Sequence, residues 1–163
     1  MKRSHNKNAP GQSLIEVVIA LAVAVIIAVA LVGLTVIALR NAQFAKTQNT
    51  ATRLSQEGVE KTRSWRDNNW VDFSSRKGTT YMLDSSCQFL PSLSCTTTGA
   101  SCAIAGNENH LVNGQFLRCV TLTDGGTDQV NVTVVTKWQD GSGDHESRTE
   151  TFLSNQGVWA KQL

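Results

Sequence analysis

Apolar residues fall along this chain in three regimes. From Val17 to Leu39 no position carries a charge. The run reads VVIALAVAVIIAVALVGLTVIAL, and only Gly33 and Thr35 interrupt its aliphatic character. A helix over that run rises ~35 Å, and the hydrocarbon core of a bilayer is about 30 Å thick. A single membrane crossing is therefore predicted. A buried core helix is the alternative, but core helices rarely run this long without a polar face. A cleaved signal peptide has a shorter apolar region ending in a small-residue cleavage site, whereas this run ends in Arg40-Asn41.

After Arg40 the period changes to that of an amphipathic helix. Phe44, Ala51, Leu54, Gly58, Thr62 and Trp65 fall near one face. Gln43, Lys46, Arg53, Glu57 and Lys61 lie mainly elsewhere, with Glu57 and Lys61 spaced to pair across one turn. One helix is predicted from about Leu14 to about Arg66, stopped by Asp67-Asn68-Asn69. The third regime has a period of two. In 129–138 Val130, Val132 and Val134 alternate with polar residues. The cluster Gln139-Asp140-Gly141-Ser142-Gly143-Asp144 then predicts a turn, and 146–153 a returning strand. Between 70 and 128 the periodicity is weak. Loops are expected there, with short strands at 79–83 and 115–123. The fold class is thus α+β: a long N-terminal helix, half apolar and transmembrane, half amphipathic, packed on a small antiparallel β-sheet head.

Charge adds little to this picture. Fifteen Lys and Arg against 13 Asp and Glu leave +2, no excess of the kind that binds nucleic acid. Arg76-Lys77 is too small a basic patch for that role. Lys2, Arg3 and Lys7 precede the apolar run with no acid in 1–11, and Arg40 and Lys46 follow it. That bias places the N-terminus in the cytoplasm and the remainder outside. Cys87, Cys95, Cys102 and Cys119 all lie on that outer side. An even count in an oxidising compartment predicts two disulfides. Three connectivities are open, and Cys87–Cys95 with Cys102–Cys119 are the most local closures. No CxxC pair exists and His110 is the only nearby histidine, so no metal is expected at the cysteines. Asp140 and Asp144 flank a turn that offers oxygen ligands of the kind calcium takes, but without a full EF-hand pattern. His5, His110 and His145 are scattered, and no nucleophile elbow or phosphate loop occurs. No enzyme is expected.

Glu16 breaks the apolar character. It stands between Leu14-Ile15 and Val17, a carboxylate at the start of a membrane-type helix. Such a group costs roughly 2.5–3.5 kcal/mol at a helix centre and less near an end. Helix-dipole stabilisation with snorkelling to the headgroups is the plain explanation. The surrounding stretch Gly11-Gln12-Ser13-Leu14-Ile15-Glu16-Val17-Val18-Ile19-Ala20, behind a short basic leader, resembles the processing site of the type IV pilin and pseudopilin superfamily. The resemblance is specific over about 7–40. It implies that a prepilin peptidase cuts between Gly11 and Gln12 and methylates the new terminus, where Gln12 replaces the family's usual Phe or Met. Glu16 is then the fifth mature residue and acts in assembly. Gly33 occupies the place of the family's helix breaker, or serves close helix packing. The resemblance divides the chain into a leader (1–11), a transmembrane assembly helix (12–39), its amphipathic continuation (40–66) and an extracytoplasmic head (67–163). The implied partners are the peptidase, other pilin-like subunits and an inner-membrane assembly platform. The implied role is a minor pilin or pseudopilin in a surface or periplasm-spanning filament. The alternative is a single-pass, membrane-anchored binding module that never polymerises. It would use aromatic stretches such as Trp65–Phe73 and Val158-Trp159.

Overall fold

The structure is a computed structural model that describes residues 10–84, 87, 97–98 and 102–155, with side chains for 14–84, 87 and 102–155. Among the described residues helix α1 (Pro10–Asn68) is followed by a short helix α2 (Trp70–Ser75), five strands and, between the second and third of them, one 3-10 turn (Glu108–His110). The strands are β1 (Thr80–Met82), β2 (Thr97–Thr98), β3 (Leu117–Asp124), β4 (Gln129–Asp140) and β5 (Gly143–Ser154). They form one antiparallel sheet in the order β2-β1-β3-β4-β5. The α+β class and the antiparallel sheet follow the pattern of the sequence. The chain divides into two compact units, Met1–Ala45 and Lys46–Leu163.

The first unit is described only by the start of α1. Pro10 opens the helix, where its missing N–H costs nothing. Every side chain from Leu14 to Ala45 is exposed. Thr35, the one hydroxyl in the apolar run, donates to Leu31 O at 2.8 Å, so its polarity is met within the helix. Helix α1 passes unbroken through Gly33, where a Cβ would meet nothing within 4 Å.

The second unit is built around the rest of α1. Ala51, Leu54, Val59, Thr62 and Trp65 are buried against the sheet. This is the expected face, with three corrections, the first being Val59, which was not expected on it. Phe44 was expected on it and is 44% exposed, so burial starts later, near Ala51. Ser55 lies on the buried face as well, its hydroxyl 2.8 Å from that of Thr136 on β4. The sheet answers with alternate residues. Val120, Leu122, Val130, Val132, Val134 and Leu153 join Val59 and Trp65 in one core. Gly58 lets the two layers approach, because a Cβ there would lie 2.8 Å from Val134 Cγ1. The other side of β3 carries Leu117 and Cys119, covered by Cys102, Ile104 and Leu111.

Helix α2 is a departure from the expected loops. Asp67-Asn68-Asn69 does end α1, but Asn69 at once caps the next helix, its side chain accepting from Asp72 N at 3.0 Å. Six residues are too few to show a helical period. Strands β4 and β5 also run further than expected, whereas β1 is shorter than the strand expected at 79–83 and β3 begins and ends later than the one expected at 115–123. Asp140 pairs with Gly143, which leaves only Gly141-Ser142 as the connection. Gly143 takes φ 127°, a conformation that favours glycine.

Candidate functional site

The strongest candidate is the N-terminal part of α1. It is long and apolar enough to cross a membrane, and its most apolar stretch buries nothing within the chain. Aliphatic side chains left in water cost roughly 25 cal/mol per Å², so this surface calls for lipid or another protein. Glu16 stands on it, exposed, with no hydrogen-bond or ion-pair partner among the described residues. Gly11 and Gln12 are helical in backbone, and their side chains lie outside the description, as do the leader residues Lys2, Arg3 and Lys7. Gln12 and Glu16 are four residues apart in one helix, a rise of about 6 Å. A carboxylate at that spacing lies one turn from any charge at the Gln12 nitrogen.

In the second unit the cysteines act as staples. Cys102 and Cys119 are bonded, closing a separation of 17 residues and tying the loop at 102–112 to β3. Cys87 is also disulfide-bonded, and its expected partner Cys95 lies outside the described residues. The two stapled segments are held further by His110, whose Nδ1 lies 2.7 Å from Asp84 Oδ2. The Asp84 carboxylate also accepts from Cys87 N at 2.9 Å.

The turn expected to offer calcium ligands is organised differently. Asp140 Oδ1 accepts from Ser142 N at 2.8 Å and from Ser142 Oγ at 2.6 Å. His145 Nε2 lies 3.0 Å from the same oxygen. These donors, the Ser142 hydroxyl foremost, hold Asp140 down at about 2. Asp144 pairs with Gln139 on the opposite strand. No group of three or more His, Cys, Asp or Glu side chains that could hold a metal occurs among the described residues. The residue types Asp140, Ser142 and His145 suggest a hydrolytic triad, but the geometry is that of a turn. Asp140 and Ser142 both face His145 Nε2, at 3.0 and 3.1 Å. A relay needs them on opposite ring nitrogens.

Sequence reasoning missed Arg118. It lies on β3 at 2% exposure, on the same side as Val120 and Leu122. Its Nε donates to Leu83 O at 3.3 Å and its Nη1 to Leu54 O at 3.2 Å. Nη1 also lies 3.2 Å from Glu57 Oε1. Partial burial pushes the Glu57 carboxyl up, but Arg118 and Lys61 outweigh it and the net shift is downward. The strand's alternation was the available signal, since it puts Arg118 on the face of Val120. Of the basic pair at 76–77, Arg76 meets Asp72 at 3.3 Å and Lys77 meets Asp124 at 2.7 Å. Trp65 donates from Nε1 to Asp72 Oδ2 at 3.0 Å, which anchors α2 to α1. Val158 and Trp159 lie outside the described residues. Comparison with protein-family models, with curated proteins and with solved structures found no match.

Proposed function

We propose that this chain is a subunit of a type IV pilus-like or type II secretion-like filament, of the minor-pilin or pseudopilin kind. It enters the cytoplasmic membrane as a single-pass precursor with its N-terminus in the cytoplasm. A prepilin peptidase removes 1–11, and the mature subunit is handed by the assembly platform to neighbouring pilin-like subunits. The observation that carries the reading is a lone carboxylate, Glu16, on an exposed apolar helix, one turn after the Gly11-Gln12 processing position. Cleavage creates a cationic amine at Gln12, and methylation of an amine keeps its charge. Among packed apolar helices an unpaired carboxylate is costly, and pairing with such an amine offsets that cost. The amine of an adjacent subunit serves as well as its own, so Glu16 sets the register of assembly. Before cleavage there is no amine at that place, which keeps the precursor stored in the membrane.

The test is the intact mass and N-terminal sequence of the chain purified from its native membrane. The expected product begins at Gln12, with or without one added methyl. A chain that retains 1–11 where prepilin peptidase is active would overturn the reading and favour the membrane-anchored binding module. Glu16→Ala is expected to leave membrane insertion intact and to abolish incorporation into filaments. Normal incorporation would remove Glu16 from the mechanism.

A further inference from the structure

The 102–112 segment covers one end of the sheet's second surface, at Leu117 and Cys119, and leaves the part around Phe152 exposed. Strand alternation sends Leu153 into the core at 3% exposure and its neighbour Phe152 outward at 67%. Phe152 sits in an open groove of about 600 Å3 on the sheet face turned away from α1. That volume lies within the range of small-molecule sites, roughly 300–1,000 Å3. The register fixes what surrounds the ring. Asn131 is directly opposite Phe152, and Thr123 is opposite Asn131. The next row holds Thr133 opposite Glu150. Neighbouring strands are about 4.8 Å apart, so an aromatic face, an amide and hydroxyls lie side by side on a nearly flat platform.

The chemistry of this groove narrows its ligand. Among the described residues Arg148 and Glu150 are the only charged side chains lining it, and they neutralise each other at 2.6 Å. It therefore offers no net field for a phosphate, a nucleic acid or an acidic peptide. A peptide added as a strand would pair at the β5 edge, in the plane of the sheet, and would not occupy this face, since β4 at its centre is already paired on both sides. What remains are side-chain donors and acceptors next to an exposed ring. Asn131 Nδ2 donates to Asp124 O at 3.3 Å, which fixes the amide and leaves its oxygen to accept. The threonine hydroxyls both donate and accept. Arg148 Nε and Nη2 are both engaged by Glu150 Oε1 at 2.6 Å, which leaves Arg148 Nη1 to donate to a hydroxyl and Glu150 Oε2 to accept from one. A pyranose ring presents both complements: an apolar C–H face for the aromatic ring and a rim of hydroxyls.

We propose that the Phe152 face of the sheet binds neutral saccharides, with Phe152 as the stacking platform and Asn131, Thr133, Arg148 and Glu150 reading the hydroxyl rim. The proposal does not depend on whether the chain polymerises. It is tested on the full chain in phospholipid nanodiscs, free of sugar-based detergent, by saturation-transfer NMR with cellobiose and N,N′-diacetylchitobiose. Wild type is expected to transfer saturation to the ring C–H protons of at least one of them. Phe152→Leu, which keeps apolar bulk without the ring, is expected to lower that signal at least fivefold, and Phe152→Tyr to retain it. Val71→Ala, at a side chain 76% exposed elsewhere on the surface, is expected to change nothing. Absence of transfer to both sugars with wild type, or equal transfer with Phe152→Leu, would overturn the proposal. So would concentration-dependent association of wild type that Phe152→Leu abolishes without any sugar signal, which would assign the face to a second copy of the chain.

Discussion

Residues 14–45 and residues 46–68 belong to one helix, yet their apolar side chains meet opposite surroundings. In the first stretch Val25, Ile26 and Leu31 are 53%, 68% and 58% exposed. In the second, Ala51, Leu54, Val59 and Trp65 are at or below 5%. Helical geometry is common to both, so the difference lies in sequence pattern. A helix that is apolar on every side has no face to turn to water, and it commits the chain to lipid or to other helices. A helix with one apolar face commits itself to its own sheet. The second stretch thus folds the head, and the first keeps its apolar side chains exposed.

The sharpest way to test that contrast is to remove an apolar side chain from each stretch. Trp65 is 2% exposed and packs edge-on against Phe73 and Tyr81, with ring centroids 5.3 and 5.6 Å away. Trp65→Ala is expected to destabilise the head by about 3–5 kcal/mol. Ile26→Ala, at 68% exposure, is expected to leave the head unchanged. Hydrogen exchange of the β4 amides in the full chain reads both. Equal protection in the two variants would break the distinction.

A smaller effect, about 3 kcal/mol, is expected from replacing Cys102 and Cys119 together by serine, judged from the loop they close. The loss should fall on the 102–112 segment and β3, and leave the helicity of α1 untouched. Denaturant midpoints with and without reductant measure it. A double variant as stable as the wild type would show that the buried apolar side chains suffice to hold that loop.

The same contrast explains what the sequence revealed. The apolar run and the alternation of Val130, Val132 and Val134 are long, periodic signals, and both became the elements they implied. Compartment and an even count predicted disulfides and left three connectivities open; Cys102–Cys119 is one of the local closures among them. Helix α2 is short, and its cap residue Asn69 doubles as the residue that follows α1, so one Asn-rich stretch had two readings. Arg118 was missed because a charge on a strand is ordinarily read as facing water, whereas this one is met by backbone oxygens and Glu57. Of the candidate site, Glu16 was legible because its charge breaks an apolar run. The Phe152 face was not, because the neighbours that define it come from three strands and a register no single segment carries.

Gly58 sharpens the account of the helix–sheet contact. In an exposed helix, Gly→Ala gains up to about 1 kcal/mol. Here the added methyl would stand 2.8 Å from Val134 Cγ1, with Arg118 Cδ at 3.5 Å, and Val134 is a stiff side chain in a filled core. Gly58→Ala is therefore expected to destabilise the head by about 1–2 kcal/mol net, since overpacking outweighs propensity. Gly33→Ala, where nothing lies within 4 Å, should be neutral or slightly stabilising to the helix. Thermal unfolding of the pair distinguishes the two glycines. A stabilising Gly58→Ala would mean the layers separate more easily than their packing implies.

The smallest expected effect lies at the hairpin end, where Asp140 is held at about 2 by the Ser142 hydroxyl, the Ser142 N–H and His145. The ordinary value is 3.8, so the folded state favours the carboxylate. Its contribution is fully present above about pH 4 and is lost as the pH falls towards 2. Asp140→Asn removes that dependence, while Asp124, Glu57 and Glu108, whose carboxyls are also lowered, titrate alike in both proteins. The gap between wild type and variant should then be constant from pH 6 to about 4 and narrow between 4 and 2. Urea midpoints across that range measure it. A gap that stays constant down to pH 2 would mean that the Ser142 hydrogen bonds hold the turn as well with a neutral partner as with a charged one.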